Sequence, residues 1–357
     1  MRVAFIGPSQ SGKSSLFAAI AQAGGSNVDL SRPDQPHLAI VKVPDERLDF
    51  LSAMFNPKKY TPAEIEFIDL PGFDLTDEAG RKRAKEHWPA MRNSDMLVLV
   101  LRAFENPSVA AYRDRINPQS DLDELLSEFL FADLEQVTSR VDRLEAAIKK
   151  PNPKHDEQVK ELELMKRLKD SLENEKPIAG AVQNDAEAKL LKSFAFLTEK
   201  PVLVVINHGE GDLEKAAGVT QLGPVPAMGL CAKLEEEIAQ LPAEDRGAFL
   251  ADLGITSSAR DRLVQACYRH MNLVSFLTAG EDEVRAWTIH AGTDAVTAAM
   301  EIHSDIARGF IRAETVSFED LKTYKDMKGV KAAGKARLEG KTYVVQDGDI
   351  INFRFNV

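Results

Sequence analysis

Eight residues near the amino end, Gly7-Pro8-Ser9-Gln10-Ser11-Gly12-Lys13-Ser14, place two glycines, a lysine and a hydroxyl at the spacing G-x-x-x-x-G-K-[ST]. Each type has a job in gripping a phosphate chain. Gly7 and Gly12 let the backbone turn tightly, so that successive N–H groups point inward at phosphate oxygens. A helix opening at Ser14-Ser15 would add the positive end of its dipole. Lys13 would reach the β- and γ-phosphates, and the Ser14 hydroxyl would sit on Mg²⁺. The candidate cradle is therefore Gly7, Pro8, Ser9, Gln10, Ser11, Gly12, Lys13, Ser14 and Ser15. Asp69-Leu70-Pro71-Gly72 follows about 55 residues later. A D-x-x-G at the end of a strand is where phosphate-loop enzymes place a Mg²⁺-linked carboxylate, here Asp69, and a glycine whose N–H can approach the γ-phosphate, here Gly72. Lys13, Asp69 and Gly72 are the candidate catalytic residues, and Ser14 with Asp69 the candidate metal ligands. Phe73 stands where Ras-like enzymes carry a water-orienting Gln, and a phenyl ring neither donates nor accepts a hydrogen bond. Hydrolysis is then slow, or the water is held by backbone and substrate, or a partner supplies the missing group.

These groups need a frame. Val3–Ile6, 65–68, Met96–Leu101 and 201–206 are short apolar runs, and His37–Val43 also reads as a strand. Runs apolar on both faces belong in a parallel sheet covered by helices on each side. A doubly wound α/β fold follows, with its loops at one sheet edge. Asn207-His208-Gly209-Glu210 ends one such run, where GTP-specific proteins carry Asn-Lys-x-Asp. Asn207 is kept, but Glu210 replaces the Asp whose carboxylate takes two donors from guanine, so guanine selection should weaken. Val225–Met228 reads as the last strand of this sheet, and Cys231, Ala232 and Lys233 then take the place of the loop lying along the base. Loop composition over 21–37 offers Ser26 and Ser31 as the hydroxyls able to sense a γ-phosphate. Arg81-Lys82-Arg83-Ala84-Lys85 reads as a solvated helix face or as a basic arm near phosphate.

Between the strands at 96–101 and 202–206, Leu130, Leu134, Val137, Val141, Leu144 and Ile148 recur at spacings of three and four, a coiled-coil seam. After Pro151-Asn152-Pro153, Leu162, Met165, Leu168 and Leu172 resume it, so an antiparallel helical hairpin is expected, inserted over about 121–198. From about Ser275 the pattern becomes that of a small α+β module. Strands are expected over 284–289, 310–316, 342–345 and 350–355, the last two joined as a hairpin through Asp347-Gly348. A helix is expected over 294–307. The predicted division is a nucleotide-binding domain over 1–273 and a second domain over 274–357. Residues 321–341 carry Lys322, Lys325, Lys328, Lys331, Lys335, Arg337 and Lys341 against two acids, a footprint for RNA phosphate or simply a solubilising face.

The whole chain is acidic, with a net charge of −11 over 357 residues, so any RNA contact must be local. Cys231 and Cys267 have no metal spacing and imply no disulfide framework. No apolar run reaches membrane-spanning length, and the first strand leaves no room for a leader ahead of it, so the cytoplasm is the expected compartment.

The chain resembles the YchF/Obg-like ATPase family over nearly its whole length. The match is most specific at Phe276–Gly280, Glu283–Ile289, Arg308–Glu314, Leu338–Lys341 and Val344–Asp349. The resemblance implies a Ras-like P-loop NTPase with a helical coiled-coil arm and a C-terminal β-grasp (TGS) domain. It implies ATP preference through Asn207 and Glu210, slow Mg²⁺-dependent hydrolysis, a monomer, and ribosome association through the arm and the C-terminal domain. An apolar residue after D-x-x-G is a trait of the family. The departures are Gln10 for its usual Asn, Ser15 for its Thr, Ser31-Arg32-Pro33 in its switch segment, and 74–78 in place of a Gly- and Lys-rich stretch. Binding is expected to survive these changes better than catalysis, as in a divergent paralogue.

Overall fold

A computed structural model describes residues 1–26, 28–150, 153–255 and 257–356. Its strands are β1 (Arg2–Ile6), β2 (His37–Lys42), β3 (Lys59–Thr61), β4 (Glu64–Asp69), β5 (Met96–Ala103), β6 (Val202–His208), β7 (Gln221–Leu222), β8 (Val225–Leu230), β9 (Leu273–Ala279), β10 (Glu283–His290), β11 (Phe310–Ser317), β12 (Arg337–Glu339) and β13 (Asp349–Phe355). Among its helices are α1 (Lys13–Ala23), α2 (Glu46–Phe55), α3 (Glu78–Lys85), α4 (Trp88–Arg92), α5 (Pro118–Ala147) and α6 (His155–Glu173).

The chain divides into two compact units. The first, Met1–Ala23, Asn27–Ala39 and Phe67–Phe249, carries most of a seven-stranded sheet in the order β2-β4-β1-β5-β6-β8-β7. β1, β5, β6 and β8 run parallel. Val3–Ile6 and Met96–Leu101 are shielded from solvent on both faces, which is why these runs are apolar without alternation. β7, an antiparallel edge strand of two residues, is too short to leave a periodic signal. The C-terminal ends of β1, β4, β5, β6 and β8 lead respectively into Gly7, Leu70, Phe104, Gly209 and Cys231. In open α/β sheets that edge is where ligands bind.

The helical insertion forms as two helices. Asn117 caps α5 by accepting from Ser120 N at 3.1 Å, and Pro118 follows at the first helical position. The first half of α5 belongs to the α/β core through Leu122, Leu125, Phe129 and Ala132. Its second half packs Val137, Val141 and Leu144 on Leu162, Met165, Leu168 and Leu172 of α6. Arg140–Glu161 at 2.6 Å and Lys166–Glu145 at 2.7 Å cross between the helices. The turn residues Pro151 and Asn152 lie outside the described residues. Asp133, wholly buried, anchors the arm's root, accepting from Leu197 N and Thr198 N at 3.1 and 2.8 Å and pairing with Arg92 at 2.8 Å.

The second unit is Gly24–Ser26, Ile40–Glu66 and Leu250–Val357. It takes in 40–66 and 250–273 as well as 274–357, where the sequence reading set its boundary at 273/274. Its six-stranded sheet has the order β12-β11-β13-β9-β10-β3. β9 and β10 form an antiparallel pair, and β13 lies parallel to β9 and antiparallel to β11. β3 adds to the edge of β10, Lys59 opposite Glu283 and Thr61 opposite Arg285. One cluster joins Phe276, Ile289 and Phe353 to Ala295, Ala298 and Ala299; another joins Leu277, Val284 and Ile350 to Leu48 and Leu51 of α2.

Two expectations in this unit are corrected. The helix over 294–307 is two, Ala295–Ile302 and Ser304–Arg308, split where His303 becomes extended and caps the second through Asp305 N to Nδ1 at 3.1 Å. Residues 342–345 do not form a strand, and Val344 makes only an isolated bridge to Asp294. The Asp347-Gly348 turn is held by β9 instead of closing a hairpin. Ser275 N donates to Asp347 Oδ1 at 2.8 Å, and Gly348 N donates to Ser275 O at 2.8 Å.

Candidate functional site

The loop from Gly7 to Ser14 wraps the start of α1, so the first N–H groups of that helix lack intrahelical partners. Gly12 has φ +81°, and a Cβ there would collide with the Asn207 side chain. Lys13 and Asp69 are 4% and 2% exposed and form an ion pair, and Ser14 Oγ donates to the other Asp69 oxygen at 2.7 Å. Burial pushes the Lys13 ammonium below the ordinary lysine range, while Asp69 works in the opposite direction. The D-x-x-G segment is pinned to the loop by its backbone. Phe73 N donates to Gly7 O at 3.0 Å and Ser9 N donates to Phe73 O at 3.0 Å. Gly72 lies so close to Ser9 that a Cβ would sit 2.9 Å from its Cα. Gln10, exposed at φ +65°, forms the tip. The Ser11 hydroxyl is buried with no hydrogen-bond partner among the described residues.

These groups open on a cleft of about 750 Å³, lined by residues 8–15, Pro33, Asp34, 71–74, and Gly80, Arg83, Ala84, Glu86 and His87. The residues of the 21–37 loop that reach it are Pro33 and Asp34. The hydroxyls proposed from sequence do not line it, and Ser26 Oγ donates to Ile40 O at 2.9 Å. The basic run 81–85 is helical. Arg81 pairs with Glu128 and Lys85 with Glu135, whereas Arg83 lines the cleft.

A second hollow of about 400 Å³ shares Gly12 and Ser15 with the first and is otherwise lined by Phe104–Asn106, Asn207–Glu210, Cys231–Lys233 and Glu236. Asn207, 3% exposed, is a clamp: Nδ2 donates to Ser11 O at 2.9 Å and Oδ1 accepts from Ala232 N at 2.9 Å. Lys233 Nζ lies 3.1 Å from the carboxylate of Glu210 at the exposed rim. His208 Nε2 is buried without a hydrogen-bond partner among the described residues, and burial lowers the ring's pKa, favouring the neutral imidazole. Burial raises the pKa of the Cys231 thiol, which suits a wall group better than a nucleophile.

Phe104 escaped the reading of the sequence as a site residue. It follows β5, and the position of that strand's end at the switch of strand order was the available signal. Arg102, 5% exposed, fixes this loop by donating to Phe104 O, Ala110 O and Val109 O at 3.0, 3.2 and 3.1 Å and lies 4.5 Å from the Phe104 ring centroid. Among the described residues no cluster of three or more His, Cys, Asp or Glu could hold a metal, and no helix is long and apolar enough to cross a membrane.

A mostly parallel sheet with a phosphate loop after its first strand, an aspartate as the last residue of β4 and a hollow at the ends of β5, β6 and β8 defines a Ras-like P-loop nucleotide-binding fold. Residues 2–138 match the family model described as 50S ribosome-binding GTPase, and residues 273–356 match YchF-GTPase_C, described as a protein of unknown function (DUF933). The chain is 40% identical to the ribosome-binding ATPase YchF of Bacillus subtilis (strain 168), covering 97% of this chain and 96% of the relative. It is 35% identical to Obg-like ATPase 1 of Oryza sativa subsp. japonica, covering 100% and 92%. The structure of the Schizosaccharomyces pombe YchF GTPase matches with a TM-score of 0.79 at 25% identity, over 99% of this chain and 97% of that one. The chain belongs to the YchF family.

Proposed function

We propose that this protein binds ATP with Mg²⁺ at the paired hollows, hydrolyses it slowly, and uses the bound state to govern association with the ribosome. The observation that carries this is the placing of Lys13 and Ser14 on one cleft, with Asp69 bonded to both behind them, beside a second hollow of base size. In this reading Gly7 to Ser15 cradle the phosphates, Lys13 neutralises them, and Gly72 offers a backbone N–H to the γ-phosphate. Ser14 Oγ and an Asp69 oxygen, 2.7 Å apart, are hard oxygen donors that suit Mg²⁺, which is ordinarily held by one or two carboxylates together with phosphates and water. The bound ion would neutralise charge developing on the phosphates.

The base would lie among Phe104, Asn207, Glu210 and Cys231–Lys233. Guanine needs a carboxylate free to accept two donors, yet Glu210 is engaged by Lys233. Asn207 retains one N–H and one lone pair for the base. Relatives are named both ATPase and GTPase, and this geometry favours adenine. Calorimetry with Mg²⁺ present should show ATP binding at least about tenfold more tightly than GTP, a difference of about 1.4 kcal/mol; equal affinities would remove Glu210 from base selection.

Ribosome association is proposed through the arm and the basic stretch 321–341 of the β-grasp-like unit. Lys331 and Arg337 are engaged by Glu314 and Asp349, while Lys322, Lys325, Lys328, Lys335 and Lys341 are exposed and available to phosphate. The protein is proposed to act as a cytoplasmic monomer. Phe73 supports a second reading, a nucleotide-gated binding module that scarcely hydrolyses. Single-turnover hydrolysis measured with and without ribosomes separates the two: the first reading expects a faster rate with ribosomes, the second an unchanged rate near zero.

A further inference from the structure

If the nucleotide site is as proposed, the Phe73 side chain leaves the attacking water without a side-chain partner at that position. The phosphate cleft has another wall, however, and it carries hydrogen-bonding groups. α3 is capped at its start by Asp77, which accepts from Gly80 N at 2.6 Å. Past its end, Glu86 N donates to Arg83 O and His87 N to Ala84 O, both at 3.1 Å, and Met91 N donates to His87 O at 3.1 Å. Met91 is wholly buried, so the segment has little freedom. The His87 ring lies against the Phe73 ring, centroids 6.4 Å apart and planes 11° from parallel, while Phe73 is bonded to the phosphate loop through its own N–H and C=O. Two aromatic rings thus place an imidazole in the cleft that contains Lys13, Ser14 and Gly72.

We propose that His87 orients the attacking water, accepting its hydrogen bond in place of the side chain missing at position 73. This rests on the nucleotide-site reading and extends it. The water oxygen bonds to the γ-phosphorus as the bond to the β,γ-bridging oxygen breaks, and that oxygen leaves with the electron pair on the diphosphate. The water's proton departs with the inorganic phosphate, and His87 only holds the water. A neutral imidazole has one acceptor nitrogen; an imidazolium has none. Burial and the nearby Lys13 charge lower the ring's pKa, against an opposing effect from Glu86. The other charged groups on the cleft are Asp34, Asp74 and Arg83.

The test is single-turnover hydrolysis of ATP with Mg²⁺ in the full chain. His87→Phe keeps a ring on Phe73 and removes the acceptor. It should slow hydrolysis about 10- to 100-fold, at or just below the lower end of the range for positioned acid–base groups, with the ATP dissociation constant within about twofold. His87→Gln restores an amide able to accept and should keep at least about a third of the rate. The wild-type rate should fall as acidification protonates the imidazole, and the Gln variant should not follow. Equal rates in wild type and His87→Phe, including both at zero, overturn the proposal, as does a Gln variant as slow as the Phe variant. Failure of the wild type to bind ATP overturns the underlying nucleotide-site reading instead.

Discussion

Lys13→Ala should raise the dissociation constant for ATP with Mg²⁺ at least about 100-fold. The ammonium is 4% exposed and already stripped of water, so the cost of burying it is borne by the empty protein. A charge-assisted hydrogen bond contributes about 1.5–3 kcal/mol, and removing one partner of a buried pair costs about 3–5 kcal/mol. At about 1.4 kcal/mol per tenfold, a loss near 3 kcal/mol is roughly 100-fold. The substitution also strips Asp69 of its ion-pair partner, so the free variant should melt lower than wild type. The two effects separate in one melting series, because nucleotide should raise the wild-type melting temperature and leave that of the variant in place. Unchanged affinity by calorimetry would exclude the loop as the phosphate site.

Asn207→Ala should lower stability by about 2–6 kcal/mol, since two buried backbone groups lose their partner at about 1–3 kcal/mol each. Ser11 and Ala232 are 1% and 2% exposed, so water cannot readily replace the amide. For a domain of this size each kcal/mol shifts the melting temperature by about 2–4 °C, giving a fall of roughly 4–24 °C. Asn207→Asp keeps the acceptor for Ala232 N but loses the donor to Ser11 O, and should be intermediate in nucleotide affinity. A melting temperature within a degree of wild type in Asn207→Ala would mean that the clamp carries no load.

The phosphate loop and the parallel strands were legible because their signals are local: fixed spacing, and apolar runs unbroken by alternation. The role of Asn207 was legible only in part. Its place near the end of β6 pointed to the base, but its hold on Ser11 O depends on how closely two strand ends approach. The run 81–85 offered a solvated face or a basic arm near phosphate without saying which residue reaches the cleft, and Phe104 and His87 reach the hollows through tertiary packing, which no spacing encodes. Strand alternation in 59–61 gives a face and not a partner, so nothing local distinguishes β10 as its neighbour. The Asp347-Gly348 turn misled because a turn sequence specifies a bend, while Ser275 decides what the bend docks against.

The place of α2 inside the second unit has a consequence for the order of events during synthesis. Leu48 and Leu51 emerge early, yet Leu277, Val284 and Ile350, with which they share one cluster, come up to about 300 residues later. At about 5–20 residues per second, two greasy side chains on a nascent helix wait as long as roughly 15–60 s for their neighbours. A chain stalled or cut before its last hundred residues would leave that helix sticky, and a C-terminal fragment made by itself would lack the edge strand that β3 supplies.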